Sequence, residues 1–375
     1  MSAAGMSAAG TTAPGEGAPT AADRAPKRAR LLALLDAENA DEVVLTSYGA
    51  VAWYLGGSRT HTSLAGDPLL AVVVGRDADT VVLHANERDR LEAEELPGDV
   101  TVIAVPWHEP LASVLPGGPR VLQEPTVARQ LRAARAALLP AELAAYRALG
   151  RDCAEVATEV LHMASADDSE RFTAAILAAG LVSRGVDPLV LLVAGRERLG
   201  HRHPLPTDGL LGDRAMIVVC GRRAGLVANL TRWVRFGPAR ADEADAERRI
   251  RDVEAAFFAA TVPGATLGEA FDTGIAGYGA NGFDPLEWQR HHQGGAAGYN
   301  GRDPRATPGA DDVIQLGQAF AWNPTAPAAK IEDTVLLTAA GIEVLTADDD
   351  WPTITVGGIR RPVELDRSNQ RRESL

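Results

Sequence analysis

The spacing of apolar residues predicts one kind of structure up to about residue 135 and another beyond it. Leucines at positions 31, 32, 34 and 35, with charged residues around them, predict a short amphipathic helix over residues 28–40. Four apolar, β-branched segments follow, and Gly, Asp and Asn separate them, which predicts strands at Glu42–Thr46, Leu69–Gly75, Thr80–His84 and Val100–Trp107. Residues 26–135 are therefore expected to form a compact α/β domain.

The second part begins at Leu138–Glu142, where Pro140 suits the first turn of a helix. The apolar periodicity predicts helices at Ala141–Met163, Ser169–Arg184, Ala241–Ala260 and Thr266–Tyr278. It predicts strands at Pro188–Ala194, Ala215–Cys220, Gly225–Phe236, Val313–Trp322, Lys330–Thr338 and Ile342–Thr346. The second and third of these strands are adjacent and pair naturally as a hairpin. We expect helices laid over an antiparallel sheet, an α+β domain spanning residues 140–360.

Composition and charge narrow the class of protein. The chain has 375 residues and a formal net charge of −13, so nucleic acid and anionic membranes are not expected as partners. Cys153 and Cys220 are the only cysteines, which excludes a disulfide scaffold and a thiolate zinc site and suits a reducing cytoplasm. No apolar segment has the length of a membrane span.

Both ends of the chain are expected to be tails. Residues 1–25 are mostly Ala, Gly, Ser, Thr and Pro and lack the pattern of a signal peptide, so we expect a disordered tail there. Residues 361–375 are expected to form a C-terminal tail.

The segment Trp288–Asp303 combines polar groups with glycines in a way that predicts a ligand site. His291, His292 and Gln293 precede a run of small residues, and Tyr299 and Arg302 follow it. The glycines remove side chains where the backbone must approach something closely, and the polar groups beside them donate, accept and titrate near neutral pH. We interpret this segment as one wall of the site.

Two further loops contain histidines. His203 lies in a polar segment made rigid by Pro204 and Pro206. Arg59 and His61 lie in a Gly/Ser/Thr loop; they either form an exposed pair or reach a neighbouring site.

Four motifs follow one another in this chain: the histidine loop His203–Asp213, the hairpin that ends in Asn229-Leu-Thr-Arg232, the run Gly294–Gly298, and the closing strands Ala319–Pro324 and Lys330–Thr334. Their order resembles that of the creatinase, aminopeptidase P and prolidase family. The resemblance covers residues 28–360. It implies a pita-bread C-terminal domain, a smaller creatinase-like α/β domain in front of it, and a homodimer.

The metal ligands of the family are largely absent from this sequence. Metallopeptidases of the family hold two metal ions with two Asp, one His and two Glu. The matching positions here are Val218, Asn229, Gly295, Asn323 and Glu332. Valine and glycine offer no ligand and amides do little to offset the charge of two close cations, so no dinuclear metal site and no cofactor are expected. A single ion bound through His291 or His292 stays open.

Creatinase has the same fold and works without metal, using a histidine on the loop that matches His203. The resemblance therefore implies that His203 is the general acid/base. It leaves Glu332 either to orient His203 or to bind a cationic amidine, guanidine or amine substrate. The expected substrate-binding residues are Asn229, Arg232, His291, His292, Gln293, Tyr299, Arg302, Asn323 and Lys330. Arg232, Arg302 and Lys330 could bind an anionic group of the ligand or pair with acidic neighbours, and Trp288 and Trp322 could line the site or belong to the core.

Two classes of function stay open. The first is a metal-independent hydrolase or lyase that acts on a C–N bond of a small polar amide, amidine or amino-acid-like substrate. The second is a catalytically inactive pseudo-peptidase that binds a peptide or another ligand. An Xaa-Pro metallo-aminopeptidase would require a different alignment at four ligand positions. In each case the expected partner is a small molecule or short peptide in the cytoplasm.

Overall fold

The computed structural model describes residues 20–368. The first part contains helices α1 to α4 and strands β1 to β5. Their bounds are α1 Ala21–Ala37, β1 Glu42–Leu45, α2 Tyr48–Tyr54, β2 Leu70–Gly75, β3 Asp79–His84, α3 Arg88–Glu94, β4 Thr101–Val105, β5 Val121–Gln123 and α4 Ala128–Ala136. The strands form one mixed sheet in the order β4-β3-β2-β1-β5. The four predicted strands of this part are confirmed with small shifts at their ends.

The first helix starts earlier than predicted. Thr20 caps α1, because the backbone N–H of Asp23 donates to its hydroxyl and the Asp23 carboxylate accepts from the Thr20 backbone. Arg24 then makes two hydrogen bonds to the Asp99 carboxylate, which attach this turn to the domain. The predicted tail is therefore wrong for residues 20–25, and residues 1–19 lie outside the described residues.

The second part contains α5 to α8 and β6 to β17. The bounds are α5 Pro140–Met163, α6 Glu170–Ser183, β6 Asp187–Ala194, β7 Arg214–Arg223, β8 Leu226–Arg235, α7 Ala241–Ala260, α8 Leu267–Ala280, β9 Gly294–Ala297, β10 Ala319–Trp322, β11 Thr325–Ala326, β12 Ala329–Lys330, β13 Val335–Thr338, β14 Gly341–Val344, β15 Thr353–Val356, β16 Ile359–Pro362 and β17 Leu365–Asp366. All four predicted helices are confirmed.

Two four-stranded sheets join behind the site. One has the order β17-β8-β7-β6 and the other the order β14-β13-β10-β9. The backbone N–H of Thr231 in β8 donates to the carbonyl of Glu332, and Leu230 forms a bridge with Asp333, so the two sheets continue into one another. In the β7–β8 hairpin Val218 lies opposite Thr231 and Cys220 opposite Asn229. Because side chains alternate along a strand, these four residues share one face.

Two hydrophobic clusters form most of the core. One cluster contains residues of α1, of strands β1, β2 and β3, of helices α5 and α6, and of the β7–β8 hairpin. The two parts of the chain therefore share apolar packing. The other lies between helices α7 and α8 and the second sheet. Trp322 stacks on Phe257 at 4.6 Å and its indole N–H donates to Thr261, while Trp288 packs edge-on against Phe271. Both tryptophans belong to this second cluster or its margin and do not line the site.

The C-terminal boundary predicted at residue 360 is wrong. Arg361 is buried and makes two hydrogen bonds to Glu254 on α7. Strand β17 then pairs parallel to β8, with Leu365 beside Val234. Residues 361–368 are therefore part of the domain, and residues 369–375 lie outside the described residues. No helix in residues 20–368 is long and apolar enough to cross a membrane.

Candidate functional site

Three histidines from two distant segments meet at the centre of the site. His203 comes from the loop between β6 and β7, and His291 and His292 follow the turn Glu287–Arg290. The ring centroid of His203 lies 4.9 Å from that of His291 and 5.6 Å from that of His292. His203 is exposed, whereas His291 is buried. We call these three residues the histidine cluster.

Hydrogen bonds indicate which nitrogen bears a proton in the rings of His291 and His203. The Thr325 hydroxyl donates its hydrogen to the Asn323 carbonyl at 3.0 Å, and the same oxygen lies 3.4 Å from Nδ1 of His291. A hydroxyl has one hydrogen, so Nδ1 of His291 must be the donor in the second contact. Nε2 of His291 is then the acceptor, and Nε2–H of His203, 3.1 Å away, donates to it. This arrangement leaves Nδ1 of neutral His203 with a free lone pair.

Gln293 holds this arrangement in place. Its carbonyl oxygen accepts a hydrogen bond from the Tyr278 hydroxyl at 2.6 Å. Its amide nitrogen donates to the carbonyls of His291 and Trp288 at 2.6 and 3.1 Å. The buried amide has both hydrogens and one acceptor position in use, so Gln293 positions His291, and its predicted contact with a substrate stays a prediction.

A second set of residues, which we call the charged group, adjoins the histidine cluster. It consists of Thr231, Arg302, Lys330 and Glu332. The Glu332 carboxylate accepts from Arg302 at 2.5 Å and from the Thr231 hydroxyl at 3.2 Å, and Nζ of Lys330 lies 3.6 Å from it. Burial would raise the pKa of Glu332, but Lys330 and Arg302 hold that pKa below its usual value. Glu332 is therefore an ionised group with cations already beside it, which argues against the expected role of binding a cationic substrate.

The same surroundings keep the histidines neutral. Burial, followed by the charge of Lys330, lowers the pKa of His203, and Glu332 only partly opposes this. Burial and Lys330 lower the pKa of His291 far below its usual value. Burial and Arg302 lower the pKa of His292 to about 3. Three neutral imidazoles beside cations can each accept one hydrogen bond and donate one near neutral pH.

Comparisons with known proteins establish the fold. No protein-family model matches the sequence, and no curated protein matches it. Among solved structures, the prolidase from Pyrococcus horikoshii OT3 is similar with a TM-score of 0.70 and 16% identity, over 86% of this chain and 98% of that chain. Dipeptidase PepE from Mycobacterium ulcerans is similar with a TM-score of 0.70 and 20% identity, over 92% of this chain and 98% of that chain.

The chain has the pita-bread fold of the creatinase, aminopeptidase P and prolidase family. The N-terminal domain of a FACT complex subunit from Cicer arietinum is also similar, with a TM-score of 0.62 and 13% identity, over 86% of this chain and 96% of that chain. At these identities the likeness shows the fold alone. The chemistry has to be argued from the residues of this chain.

Four of the five positions that match metal ligands of the pita-bread peptidases cannot hold two metal ions here. Val218 packs in an apolar cluster with Leu192, Ala194, Met216 and Trp233. Asn229 and Asn323 are buried neutral amides. Gly295 has φ +142°, and a Cβ there would lie 2.5 Å from the Ala306 nitrogen and 2.6 Å from the Pro304 oxygen. With Glu332 already paired to Arg302, the donor set does not fit a dinuclear centre.

The histidine cluster is the one group of His, Cys, Asp or Glu within residues 20–368 that has the spacing of a metal site. Its ligand atoms lie within 4.8 Å of one another. Neutral imidazoles are good ligands for zinc. However, Arg302, Arg305 and Lys330 act on these rings as positive neighbours, which disfavours a dication and favours an anion at the same place.

Two expected substrate-binding residues lie elsewhere in the pita-bread domain. The Tyr299 hydroxyl donates to Glu142 on α5 at 2.7 Å, and Lys27 on α1 pairs with the same carboxylate oxygen at 2.8 Å. Arg232 points to the face of β8 opposite to Asn229 and Thr231, where it donates to Asp333 at 2.9 Å and to the Thr346 carbonyl at 2.6 Å. Tyr299 therefore links the two parts of the chain, and Arg232 stabilises the rear of the sheet.

The loop residues Arg59 and His61 do not reach the histidine cluster of this chain. Arg59 pairs with Glu95 at 2.6 Å. Nε2 of His61 lies 3.1 Å from a guanidinium nitrogen of Arg222 on β7. Both therefore make contacts within the chain.

Four residues of the site were not predicted. Thr231 and Cys220 share the face of Asn229, and period-two alternation along the hairpin could have identified them. Arg305 acts on His203 and His292 from the segment after the glycine run. Thr325 has no sequence signal, because its role depends on His291 and Asn323 meeting in space.

Burial raises the pKa of the Cys220 thiol to about 12, so this thiol is neutral and a poor nucleophile near pH 7.

Proposed function

We propose that this protein is a hydrolase or lyase that acts on a C–N bond of a small polar amide, amidine or amino-acid-like substrate, without a dinuclear metal centre and with His203 as the general acid/base. The observation that supports this most strongly is the contact at 3.1 Å between exposed His203 and buried His291. It holds an accessible imidazole in one orientation, as acid–base catalysis requires. We expect the protein to work in the cytoplasm as a homodimer.

For an amide substrate, hydrolysis of the C–N bond needs only water as a second reactant. Nδ1 of His203 takes a proton from water while the water oxygen bonds to the carbonyl carbon. The imidazolium then gives this proton to the leaving nitrogen as the C–N bond breaks, which regenerates neutral His203. His291 accepts the hydrogen bond from Nε2–H of His203 throughout and so keeps the ring oriented.

The remaining substrate contacts in this proposal come from the histidine cluster and from the charged group. His292 belongs to the histidine cluster, and Arg302 and Lys330 belong to the charged group. Asn229 and Asn323 add neutral amides, which donate and accept hydrogen bonds. The Asn323 side-chain oxygen is buried and has no partner within residues 20–368, so it is available to a donor on the substrate.

A second candidate is a catalytically inactive pseudo-peptidase that binds a peptide or another ligand. The similarity to a domain of a FACT complex subunit supports this candidate. An Xaa-Pro metallo-aminopeptidase is less well supported, because Val218 and Gly295 offer no ligand for a metal ion.

The proposal is tested by replacing His203. A panel of N-acyl amino acids, amidines and Xaa-Pro dipeptides would be screened for release of an amine, and the best substrate used for kinetics. His203→Ala should lower kcat by about 10²–10⁴, the usual contribution of general acid–base catalysis, with little change in stability. His201→Ala, an exposed histidine on the same loop, is the control and should retain wild-type kcat.

The pH profile provides a second readout. The base must be neutral, and the pKa of His203 is lowered. Activity should therefore rise with pH and level off, with an apparent pKa below the ordinary histidine value of about 6.5. Full turnover by His203→Ala would contradict the proposal, and ligand binding without turnover in any variant would favour the pseudo-peptidase.

A further inference from the structure

A cavity of about 260 Å³ lies on the rear of the sheet, on the side away from the charged group. Arg232 lines it, and this side chain leaves β8 on the face opposite to Thr231. We call it the rear cavity. It is therefore separate from the site proposed above. An apolar cavity of about 150 Å³ already holds benzene, so the rear cavity has room for a larger ring system.

The walls of the rear cavity are mostly apolar. Strand β14 contributes Ile342 and Val344, and strand β16 contributes Ile359 and Pro362. Trp351 completes the wall, and its indole N–H donates to a backbone carbonyl at 3.0 Å, which holds the ring in one orientation. An aromatic or branched hydrocarbon group that enters the cavity therefore buries its surface against these side chains.

The buried charges at the floor of the rear cavity already have partners. Arg232 donates to Asp333 at 2.9 Å. Asp333 also pairs with Arg361 at 2.9 Å, and Arg361 makes two hydrogen bonds to Glu254. Burial raises the pKa of Glu254 to about 7 although Arg361 opposes this, so the two cations and two carboxylates balance above that pH. The floor then offers no net charge to a ligand.

Asp348 differs from the other charged residues of the rear cavity. It lines the cavity and forms no ion pair within residues 20–368. Its carboxylate accepts a hydrogen bond from the backbone N–H of Asp350 at 3.0 Å. Arg360 also lines the cavity, but it pairs with Asp349 at 2.8 Å. The Asp348 carboxylate is therefore the charge in this wall that is left for a cationic group.

The surface next to Asp348 is acidic as well. Asp348 also lines a second pocket, of about 570 Å³, whose other side chains are Glu155, Thr158, Glu159, His162 and Asp350. Arg184 lies 3.8 Å from Glu155 and 2.6 Å from Glu159. Even with His162 counted as a cation, four carboxylates outnumber two positive charges here. The excess favours a cation and disfavours an anion at Asp348.

We propose that the rear cavity binds a small amphipathic amine, with its apolar ring against Trp351 and Ile359 and its ammonium group at Asp348. An aromatic or branched group joined by a short linker to a protonated amine is the chemical class that matches both the apolar walls and the unpaired carboxylate. A neutral alcohol of the same shape lacks the attraction to Asp348, and a carboxylate is repelled by it.

Tryptamine and tryptophol test the role of charge, because they share the indole ring and the linker and differ by an ammonium group against a hydroxyl group. Both would be titrated by calorimetry at pH 8, above the pKa of Glu254. Tryptamine should bind saturably and at least about tenfold more tightly than tryptophol. Indole-3-propionate, the matching anion, should bind more weakly than tryptophol.

Substitutions test the location. Asp348→Asn keeps an oxygen for the Asp350 N–H but removes the charge, so the affinity for tryptamine should fall to that for tryptophol. Asp272→Asn removes an exposed carboxylate on α8 that lines neither cavity, and as the control for net charge it should leave both affinities unchanged. Ile359→Ala should weaken both ligands by a similar factor, because it removes apolar contact only.

Equal affinity for tryptamine and tryptophol would overturn the proposal, as would tighter binding of indole-3-propionate, a preference for tryptamine that survives Asp348→Asn, or no saturable binding of tryptamine. A peptide containing Trp and Lys that binds when tryptamine does not would also overturn it and would assign the rear cavity to a polypeptide partner. If Asp348→Asn does not fold, the three ligands on the wild-type protein still decide the matter. The histidine cluster takes no part in these titrations, so their outcome is independent of the proposed hydrolase.

Discussion

At the scale of single residues, the site depends on a hydrogen-bond direction that begins at Thr325. Its hydroxyl hydrogen goes to the Asn323 carbonyl, so its oxygen accepts from His291, and His291 in turn accepts from His203. The residues that determine catalysis in this account therefore include one that contacts no substrate. Thr325 and Gln293 are positioning residues for His291.

Replacing the Thr325 hydroxyl tests this direction. Thr325→Val keeps the shape of the side chain but removes the acceptor for Nδ1–H of His291, so His291 can adopt the tautomer that no longer accepts from His203. We expect kcat to fall about tenfold with KM nearly unchanged, because the effect acts through the orientation of His203. Thr325→Ser should restore kcat. A loss that Ser fails to restore, or a change in KM alone, would contradict the assignment.

Burial of His291 should also make stability depend on pH. The pKa of His291 is far below 6.5 in the folded state and close to 6.5 when the chain is unfolded, so unfolding in acid takes up a proton. This contribution is absent above about pH 6.5, and below it the free energy of unfolding falls by up to about 1.4 kcal/mol per pH unit.

Urea unfolding of the wild type and of His291→Gln at pH 7, 6 and 5 would measure this effect. The wild type should lose more stability than the variant at each step into acid, although other groups contribute to both. Parallel losses in the two proteins would show that His291 titrates normally when folded.

At the scale of secondary-structure elements, the glycine run is a strand, although its sequence suggests a turn. Strand β9 pairs Gly295 with Ala321 and Ala297 with Ala319 of β10. Glycine is a weak strand former, and the pairing with a distant segment overrides the local preference. The space that a side chain at 295 would need is filled by the backbone of Pro304 and Ala306.

A pair of alanine substitutions separates backbone strain from lack of space. Gly295 and Gly298 both have positive φ, +142° and +153°, but a Cβ at 298 would meet no atom within 4 Å. Both variants should be less stable by about 1–3 kcal/mol from strain. Gly295→Ala should lose about 1–3 kcal/mol more through its close contacts, measured by urea unfolding. Equal losses would mean that position 295 has room for a side chain and that its exclusion from metal binding is not steric.

The local pattern of apolar residues was enough to predict most helices and strands. It failed where a strand depends on pairing with a distant segment. Helix α7 was predicted at its observed bounds, and the β7–β8 hairpin within a few residues, because their apolar periods are regular. Helix α2 was missed since nearly all of it is buried and it has no polar face. Strand β5 has three residues and depends on parallel pairing with β1. The predicted strand Val313–Trp322 shortens to Ala319–Trp322.

At the scale of the whole molecule, the site is assembled from segments that lie far apart in the sequence. His203 and His291 are 88 residues apart. The motif order brought the histidine cluster, Asn229, Asn323 and Glu332 to one domain from sequence alone. It could not reveal that Arg302 neutralises Glu332, that Arg232 faces the opposite side or that Tyr299 contacts Glu142, because these depend on side-chain directions and on packing between distant segments.

The glycine segment is also attached to the first part of the chain. Arg135 on α4 makes two hydrogen bonds of 2.6 Å to Asp303, and both side chains are almost fully buried. Tyr299, Glu142 and Lys27 form a second connection. The wall of the site is thus supported from both parts of the molecule, which favours a fixed geometry around His203.

The most direct test of the account is the rate of C–N bond hydrolysis by protein dialysed against EDTA, on the best substrate from the panel, with metal content determined on the same sample. Because Val218, Asn229, Gly295 and Asn323 stand where a dinuclear centre would need ligands, we predict an unchanged kcat and no stoichiometric manganese, cobalt or zinc. Loss of activity in EDTA that manganese, cobalt or zinc restores, with one or more ions bound per chain, would contradict it.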